Sequence, residues 1–222
     1  MNYYPKDKEF QRYAKSEHNV SSNTLDLYTK ESSLTPYILE EREMRMTQMD
    51  IFSRLMVDRL LWVAGPVNDN MSTIVQAQLM FLSSTSNEDI TMHIDSPGGS
   101  VKSGLSMVDV MEYIPNDIKT INTGMAASMG SVLLGAGTKG KRFLTPNTRV
   151  LLHQPLGGFG GTAADIQTQA FLINDMKKQL AAITAKQTGK TVEQVMADGD
   201  RDRWFNAQEA LEYGFVDHIQ EF

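Results

Sequence analysis

Cysteine is missing altogether from the 222 residues. That absence excludes disulfides, thiolate metal sites and a cysteine nucleophile, and it makes the cytoplasm the default compartment. Long apolar runs are missing too: none approaches the ~18 residues a membrane span needs, and no basic n-region followed by an apolar stretch opens the chain. Positive charge is in deficit. Twenty-one Lys and Arg stand against 27 Asp and Glu, a formal net charge of −6, so a nucleic-acid partner has no electrostatic support. A complete nucleotide motif is also lacking. Gly135 to Lys141 fits Gly-x-x-x-x-Gly-Lys, but Arg142 follows where Ser or Thr would hold magnesium, and a helical pattern rather than a strand precedes it. A helix C-cap followed by a turn accounts better for those residues. No cofactor and no metal site is assigned.

What is present divides at about Ser33. Residues 1–33 scatter Tyr3, Tyr4, Phe10, Tyr13 and Tyr28 among cancelling charges, with no period of 2 or 3.6. They read as an arm or a removable pro-segment, and residues 34–222 as one domain. Asp7, Glu9, Glu17, Asp26 and Glu31 argue against an organellar transit peptide, which is acid-poor. Leu34 to Glu40 is apolar and extended, and the charges from Glu40 to Arg45 read as a solvated face or loop. Asp50 to Met56 reads as a short helix.

From Arg59 onward a strand-then-helix rhythm sets in. Arg59 to Gly65 reads as a strand ended by Pro66, and Asn68 or Asp69 caps a helix with Ile74, Ala77, Gln78, Phe81 and Leu82 on its inner face. Ile90 to Asp95 alternates as a strand does, and Ser96-Pro97-Gly98-Gly99-Ser100 breaks it. Ser103 to Ile114 is a helix, with Leu105, Val108, Met111 and Tyr113 partly inward and Pro115 at its end. The third unit runs from the strand Asp117 to Thr123 into an almost wholly apolar helix from Ser128 to Gly135, which must be buried. Three such units indicate an α/β layered fold.

Ser128 sits at that last strand-to-helix turn, in Ala126-Ala127-Ser128-Met129-Gly130. Serine is a preferred helix N-cap, and a cap is the plain reading of it. The other reading is a nucleophile beside the unsatisfied N–H groups of a helix start, in partial likeness to the strained Gly-x-Ser-x-Gly elbow of hydrolases. The Gly98-Gly99 turn reads either as a tight turn or as the source of a backbone N–H that, with that of Met129, holds an oxyanion. His153 ends a short strand, Thr148 to His153, before Gln154-Pro155-Leu156-Gly157-Gly158, where it can face a cleft. A second short strand spans Arg142 to Leu144. Of the other histidines, His18 lies in the arm, His93 inside a strand and His218 near the end. A capping-box variant at Thr162-Ala163-Ala164-Asp165 opens a helix running to Thr188-Gly189, roughly 40 Å long. Such a helix either projects toward another subunit or folds back on the core. Asp198 to Phe205 interleaves three aspartates with two arginines: a surface salt-bridge network, or the source of a carboxylate that orients His153 through Nδ1. A last helix begins at Asn206 and closes at Tyr213-Gly214.

With Ser-Pro-Gly-Gly, Ala-Ala-Ser-Met-Gly, His-Gln-Pro-Leu-Gly-Gly and Asp-Arg-Asp-Arg-Trp in that order, the sequence resembles the proteolytic subunits of the caseinolytic (Clp) proteases from about Leu34 to Asp217. The resemblance implies a serine endopeptidase with a crotonase-like α/β fold of repeated βα units and a long projecting helix. It implies Ser128 as nucleophile, His153 as general base, Asp202 as orienting acid, and the backbones of Gly99 and Met129 as oxyanion donors. Asp200 and Arg201 would link ring contacts to the active site, and Gly157 to Gly161 would line the peptide groove. The implied assembly is two stacked seven-membered rings of identical subunits, fed with unfolded polypeptide by a hexameric AAA+ unfoldase in the cytoplasm, with residues up to about Ser33 removed by self-cleavage. One departure stands out: Thr91 and His93 occupy strand positions where the family often carries aromatics for docking the unfoldase.

Two other function classes compete. A crotonase-type acyl-CoA hydratase or isomerase shares the architecture and would not need Ser128 and His153 together. A ring scaffold whose triad never aligns unaided is the non-enzymatic alternative.

Overall fold

The computed structural model describes residues 37–42, 45–158 and 160–220, and the expectations for the 1–33 arm lie outside them. The chain forms two compact units, one ending at Leu55 and one beginning at Met56. In the first, β1 (Tyr37–Arg42) and β2 (Arg45–Asp50) pair antiparallel, with Tyr37 opposite Asp50 and Arg42 opposite Arg45. The charges expected as a loop or solvated face therefore fall largely on two strands, because hairpin pairing satisfies the backbone whatever the side chains carry. The short helix expected after Asp50 is α1 (Ile51–Val57), and Asp50 Oδ1 accepts from the Phe52 and Ser53 N–H groups at its start.

The second unit is built on a parallel sheet in the order β3-β4-β5-β6-β9. Its strands are β3 (Leu60–Ala64), β4 (Ile90–Ser96), β5 (Ile118–Ala127), β6 (Arg142–Leu144) and, near the end of the chain, β9 (His218–Ile219). β7 (Arg149–Leu152) branches from β5, and β8 (Arg203–Phe205) pairs antiparallel with β7. The fold is the expected α/β, crotonase-like one. β5 divides its partners: Thr120 to Asn122 pair with Arg142 to Leu144, and Met125 to Ala127 pair with Arg149 to Leu151. This split brings the carboxyl ends of β4, β5 and β7 to one place. In open α/β sheets that is where ligands bind.

The helices follow the strands as expected, with two changes of face. In α2 (Asp69–Thr85), Ser72, Val75, Leu79 and Leu82 are buried, whereas Ile74 and Phe81 are exposed. The expected face is thus rotated. The cause is a polar seam: Ser72 Oγ donates to the Ser103 carbonyl, so hydroxyls rather than side-chain hydrophobicity choose part of the buried stripe. In α3 (Val101–Tyr113), Met107, Val108 and Met111 are buried but Tyr113 is 77% exposed, its ring lying in the last turn beyond the core. At the end of α2, Arg59 donates from its guanidinium to the carbonyls of Leu82, Ser86 and Glu88. A cation there satisfies orphan acceptors and complements the negative end of the helix.

Every residue of α4 (Met129–Gly135) is buried, as its composition requires. The turn after it runs through Thr138, whose N–H bonds the Ile118 carbonyl, and Lys141 reaches Asp89 at 2.5 Å and Asp117 at 2.8 Å. The capping box at Thr162 and Asp165 is formed, and α5 (Ala163–Thr188) has its buried residues only at Ala181, Thr184, Ala185 and Thr188. Its first half therefore projects from the core instead of folding back on it. The short α6 (Val192–Asp198) and β8 were not expected from the sequence, and α7 (Ala207–Tyr213) was.

Candidate functional site

Ser128 adopts φ 54° and ψ −122°, one of two positive-φ residues other than glycine among the described residues. A capping serine would sit in the β region and accept a bond from the first turn. Ser128 does neither, and its side chain makes no capping bond. Such a conformation costs on the order of 1–3 kcal/mol and persists only where the surroundings over-determine it. Here they do. The Ser128 N–H donates to the Leu151 carbonyl of β7 at 3.0 Å, and its carbonyl accepts from Ser131 N at 3.0 Å and Ser131 Oγ at 2.7 Å. Both backbone groups are occupied in holding the turn, which leaves the hydroxyl to face the cleft.

The glycine turn abuts that serine. Gly98 has φ 86°, and a β-carbon there would lie 2.6 Å from Ser128 Cβ and 2.9 Å from Met129 N. Gly98 O accepts from Val67 N at 2.8 Å and Ser100 N donates to Val67 O at 2.8 Å, making a parallel bridge between Val67 and Gly99. In such a bridge the N–H of the middle residue points away from its partner. The Gly99 N–H is thereby turned from Val67 toward the β5 side, where Ser128 lies. Met129 opens α4, so its N–H is among the donors that a helix cannot satisfy internally. Ser96 Oγ anchors the loop by donating to Gly65 O and accepting from Gly98 N.

His153 follows directly on β7, and its side chain is only 15% exposed. Its Nδ1 lies 3.4 Å from Oδ1 of Asp202, whose side chain is 67% exposed. Ser128, Met129 and His153 line one cleft. Val101, Val132, Leu152, Leu180 and Met196 form its apolar wall. A hydroxyl, an imidazole with a carboxylate at its far nitrogen, and helix-start N–H groups beside an apolar cleft are the parts of acyl transfer.

A family model for Clp protease matches residues 41–222. The chain belongs to the Clp protease family. It is 60% identical over 175 residues to ATP-dependent Clp protease proteolytic subunit 1 of Leifsonia xyli subsp. xyli, covering 78% of this chain and 89% of that one. To the ATP-dependent Clp protease proteolytic subunit of Porphyromonas gingivalis it is 49% identical over 216 residues, covering 96% of this chain and 97% of the relative. It is a Clp-type serine endopeptidase. The acyl-CoA hydratase reading gives way to that membership.

Other expected residues sit further from the cleft. Asp200 and Arg201 approach each other only to 3.9 Å at the surface. The other members of the aspartate and arginine cluster form the salt-bridge network that the sequence offered as one reading of it. Asp198 closes the near end of the Clp-type Asp-Arg-Asp turn. It pairs with Arg203 and accepts from Tyr213 Oη at 2.9 Å and from Gln194 Nε2 at 2.8 Å. Burial pushes the Asp198 carboxyl up, but the bonds from Gln194 and Tyr213 and the Arg203 charge outweigh it and hold the pKa below the usual range. Tyr213 is shifted up by burial and by its bond to that carboxylate. Gln154, next to His153, donates to the Asp200 carbonyl and accepts from Lys177. The sequence offered Gln154 only as part of the His-Gln-Pro-Leu-Gly-Gly motif, with no role, and gave no signal for Lys177.

Proposed function

We propose that this endopeptidase cleaves unfolded polypeptides by a Ser128-His153-Asp202 triad inside a self-assembled chamber. His153 Nε2 takes the Ser128 hydroxyl proton as Oγ attacks the peptide carbonyl. The N–H groups of Gly99 and Met129 hold the oxyanion, each worth roughly 3 kcal/mol. The same imidazole then protonates the leaving amine, and water hydrolyses the acyl-serine by the reverse sequence. Asp202 keeps the Nδ1–H tautomer and stabilises the imidazolium. The observation that carries this reading is that one cleft is lined by a strained Ser128 and by an imidazole whose Nδ1 lies 3.4 Å from a carboxylate oxygen.

The relatives' names tie proteolysis to ATP, and Gly135 to Lys141 forms a helix end and turn whose lysine is held by Asp89 and Asp117. We therefore assign ATP use to a separate hexameric AAA+ unfoldase. Assembly into two stacked seven-membered rings is supported by α5, where Ile166, Phe171 and Leu172 are exposed on the projecting half. Asp200 and Arg201, open at the surface, would report ring contacts to Asp202. Residues 1–33 are taken as a propeptide, residues 34–222 as the peptidase domain and the cytoplasm as its compartment. Among the described residues no helix is long and apolar enough to cross a membrane.

The deciding experiment treats the purified chain with a fluorophosphonate probe and reads the intact mass, beside Ser128→Ala. One adduct on the wild type and none on the variant supports the triad; no adduct on either refutes a triad active in isolation. The same spectrum shows whether the chain shortens near Ser33. A second reading, a resting triad aligned by a related subunit, has one observation in its favour: the 3.4 Å contact is long for a hydrogen bond and Asp202 is open to solvent. Labelling that appears only when a partner is added would decide for it.

A further inference from the structure

Asp202 holds its place at His153 without a grip of its own. Its side chain is 67% exposed and its one close partner among the described contacts is His153 Nδ1. The position of the carboxylate is therefore set by the backbone of the turn from Gly199 to Asp202. The near end of that turn is fixed by Asp198 and by the Gly199 N–H, which donates to Val195 O at 2.9 Å. Its far end is held by β8, where Arg203 pairs with Leu152; in its middle the Asp200 N–H reaches the Ala197 carbonyl at 3.4 Å, and one side chain holds the Asp200 carbonyl. Gln154 Nε2 donates to the Asp200 carbonyl at 2.9 Å, and Gln154 Oε1 accepts from Lys177 Nζ at 2.8 Å.

The chemistry of the three groups forces the direction of this chain. A lysine ammonium can only donate and a carbonyl can only accept. The amide must turn its oxygen to Lys177 and its nitrogen to Asp200; the flipped amide would oppose two donors and two acceptors. Lys177 thus orients Gln154, and Gln154 ties the residue next to His153 to a backbone group two residues before Asp202. Both side chains are half-buried at the edge of the cleft; the Lys177–Gln154 bond is partly shielded from water, and the Gln154–Asp200 bond is open to it.

We propose that Lys177 and Gln154 are positioning residues that set the His153–Asp202 contact, making the root of the long helix α5 part of the catalytic alignment. This rests on the triad reading above. Nothing in the proposal requires either residue to touch the scissile bond.

The test is steady-state hydrolysis of a short fluorogenic peptide by the assembled full chain, with kcat and KM determined separately. Gln154→Leu is expected to lower kcat by about 10-fold or more. KM is expected to stay within about 2-fold, because neither side chain touches the substrate. Lys177→Met should lower kcat by less, again with KM held, and Lys177→Arg, which keeps a donor, should recover most of the loss. The double variant should be no worse than Gln154→Leu, since the pair acts as one unit. An unmoved kcat, a change confined to KM, no recovery in Lys177→Arg, or additive losses would overturn the proposal and leave Gln154 and Lys177 as cleft wall. If Gln154→Leu fails to assemble, Lys177→Met against Lys177→Arg carries the same comparison. Asp202→Asn is measured in parallel. Full rate in that variant overturns the triad reading, and the relay with it; a damaged Asp202→Asn beside an intact Gln154→Leu overturns the relay alone.

Discussion

Gly98 and Ser128 are in contact through a space that admits no β-carbon: one built at position 98 would lie 2.6 Å from Ser128 Cβ, 2.6 Å from the Ala127 carbonyl oxygen and 2.9 Å from Met129 N. Two of these atoms are backbone and cannot swing aside. Gly98→Ala must therefore push the loop from the serine turn, and its φ of 86° adds strain. The displaced group is the neighbour of the Gly99 N–H. We expect a loss of about 100-fold or more in peptide hydrolysis, the scale of one lost oxyanion donor. Labelling by a fluorophosphonate should slow in proportion, with the circular dichroism spectrum retained. Activity within a factor of two of wild type would show that the Gly99 N–H takes no part.

The backbone of Ser128 makes a separate prediction about stability. Glycine reaches φ 54° without the steric cost a serine bears. Ser128→Gly should abolish hydrolysis yet leave the unfolding free energy equal to or up to ~1 kcal/mol above that of Ser128→Ala. Denaturation at one protein concentration compares the two inactive variants, which removes any effect of acyl-enzyme formation. A glycine variant markedly less stable than the alanine variant would mean that the turn is not strained.

Much of this site is legible in the chain because it depends on local pattern. The apolar run behind Ser128 can only be a buried helix, Gly98-Gly99 can only end a strand, and the Thr162 and Asp165 spacing announces a helix start. What was not legible depends on groups that meet across the fold. The positive φ of Ser128 is imposed by Leu151 and Ser131, and no local propensity encodes it. Ser72 is polar and yet buried, because Ser103 offers it a carbonyl, and this displaces the apparent apolar face of α2. Gln154 and Lys177 are 23 positions apart and look like ordinary polar residues until the loop after β7 meets α5. The seven residues of α6 are too few for periodicity to separate helix from loop.

Arg142 and Asp217 form the buried ion pair of the fold and predict its acid sensitivity. Arg142 is 1% exposed and bonds both oxygens of Asp217, at 2.9 and 2.7 Å, with a third bond to the Gln187 carbonyl at 2.8 Å. Burial alone would raise the Asp217 pKa, but the bonds and charge of Arg142, with the N–H groups of Gly140 and Arg142, hold it far below the usual carboxylate range. A carboxyl depressed in the folded state contributes stability that is fully present above the unfolded value of about 3.9 and is lost as pH falls toward the folded value. Asp217→Ala strands the buried guanidinium and should cost about 3–5 kcal/mol near neutrality. Denaturant titrations at pH 7 and pH 3.5 check both parts: the gap between wild type and variant should narrow in acid. A constant gap would assign the loss to packing.

Trp62 and His93 offer an optical probe of the sheet surface. They sit opposite each other on β3 and β4, with ring centroids 4.8 Å apart and planes inclined by 14°. His93 Nδ1 is buried without a hydrogen-bond partner, and burial, then the charge of Lys119, lowers its pKa from the ordinary 6.5. Neutral imidazole is therefore the form that the folded sheet prefers, and protonation must come at more acid pH than in the unfolded chain. A cationic imidazolium stacked on indole quenches its emission, so Trp62 fluorescence should fall on acidification with a midpoint below 6.5. The chain has two tryptophans, and Trp204→Phe isolates the signal. Lys119→Met should raise the midpoint by removing a repelling charge, though burial will keep it below the unperturbed value. A midpoint at or above 6.5 would mean that His93 is solvated.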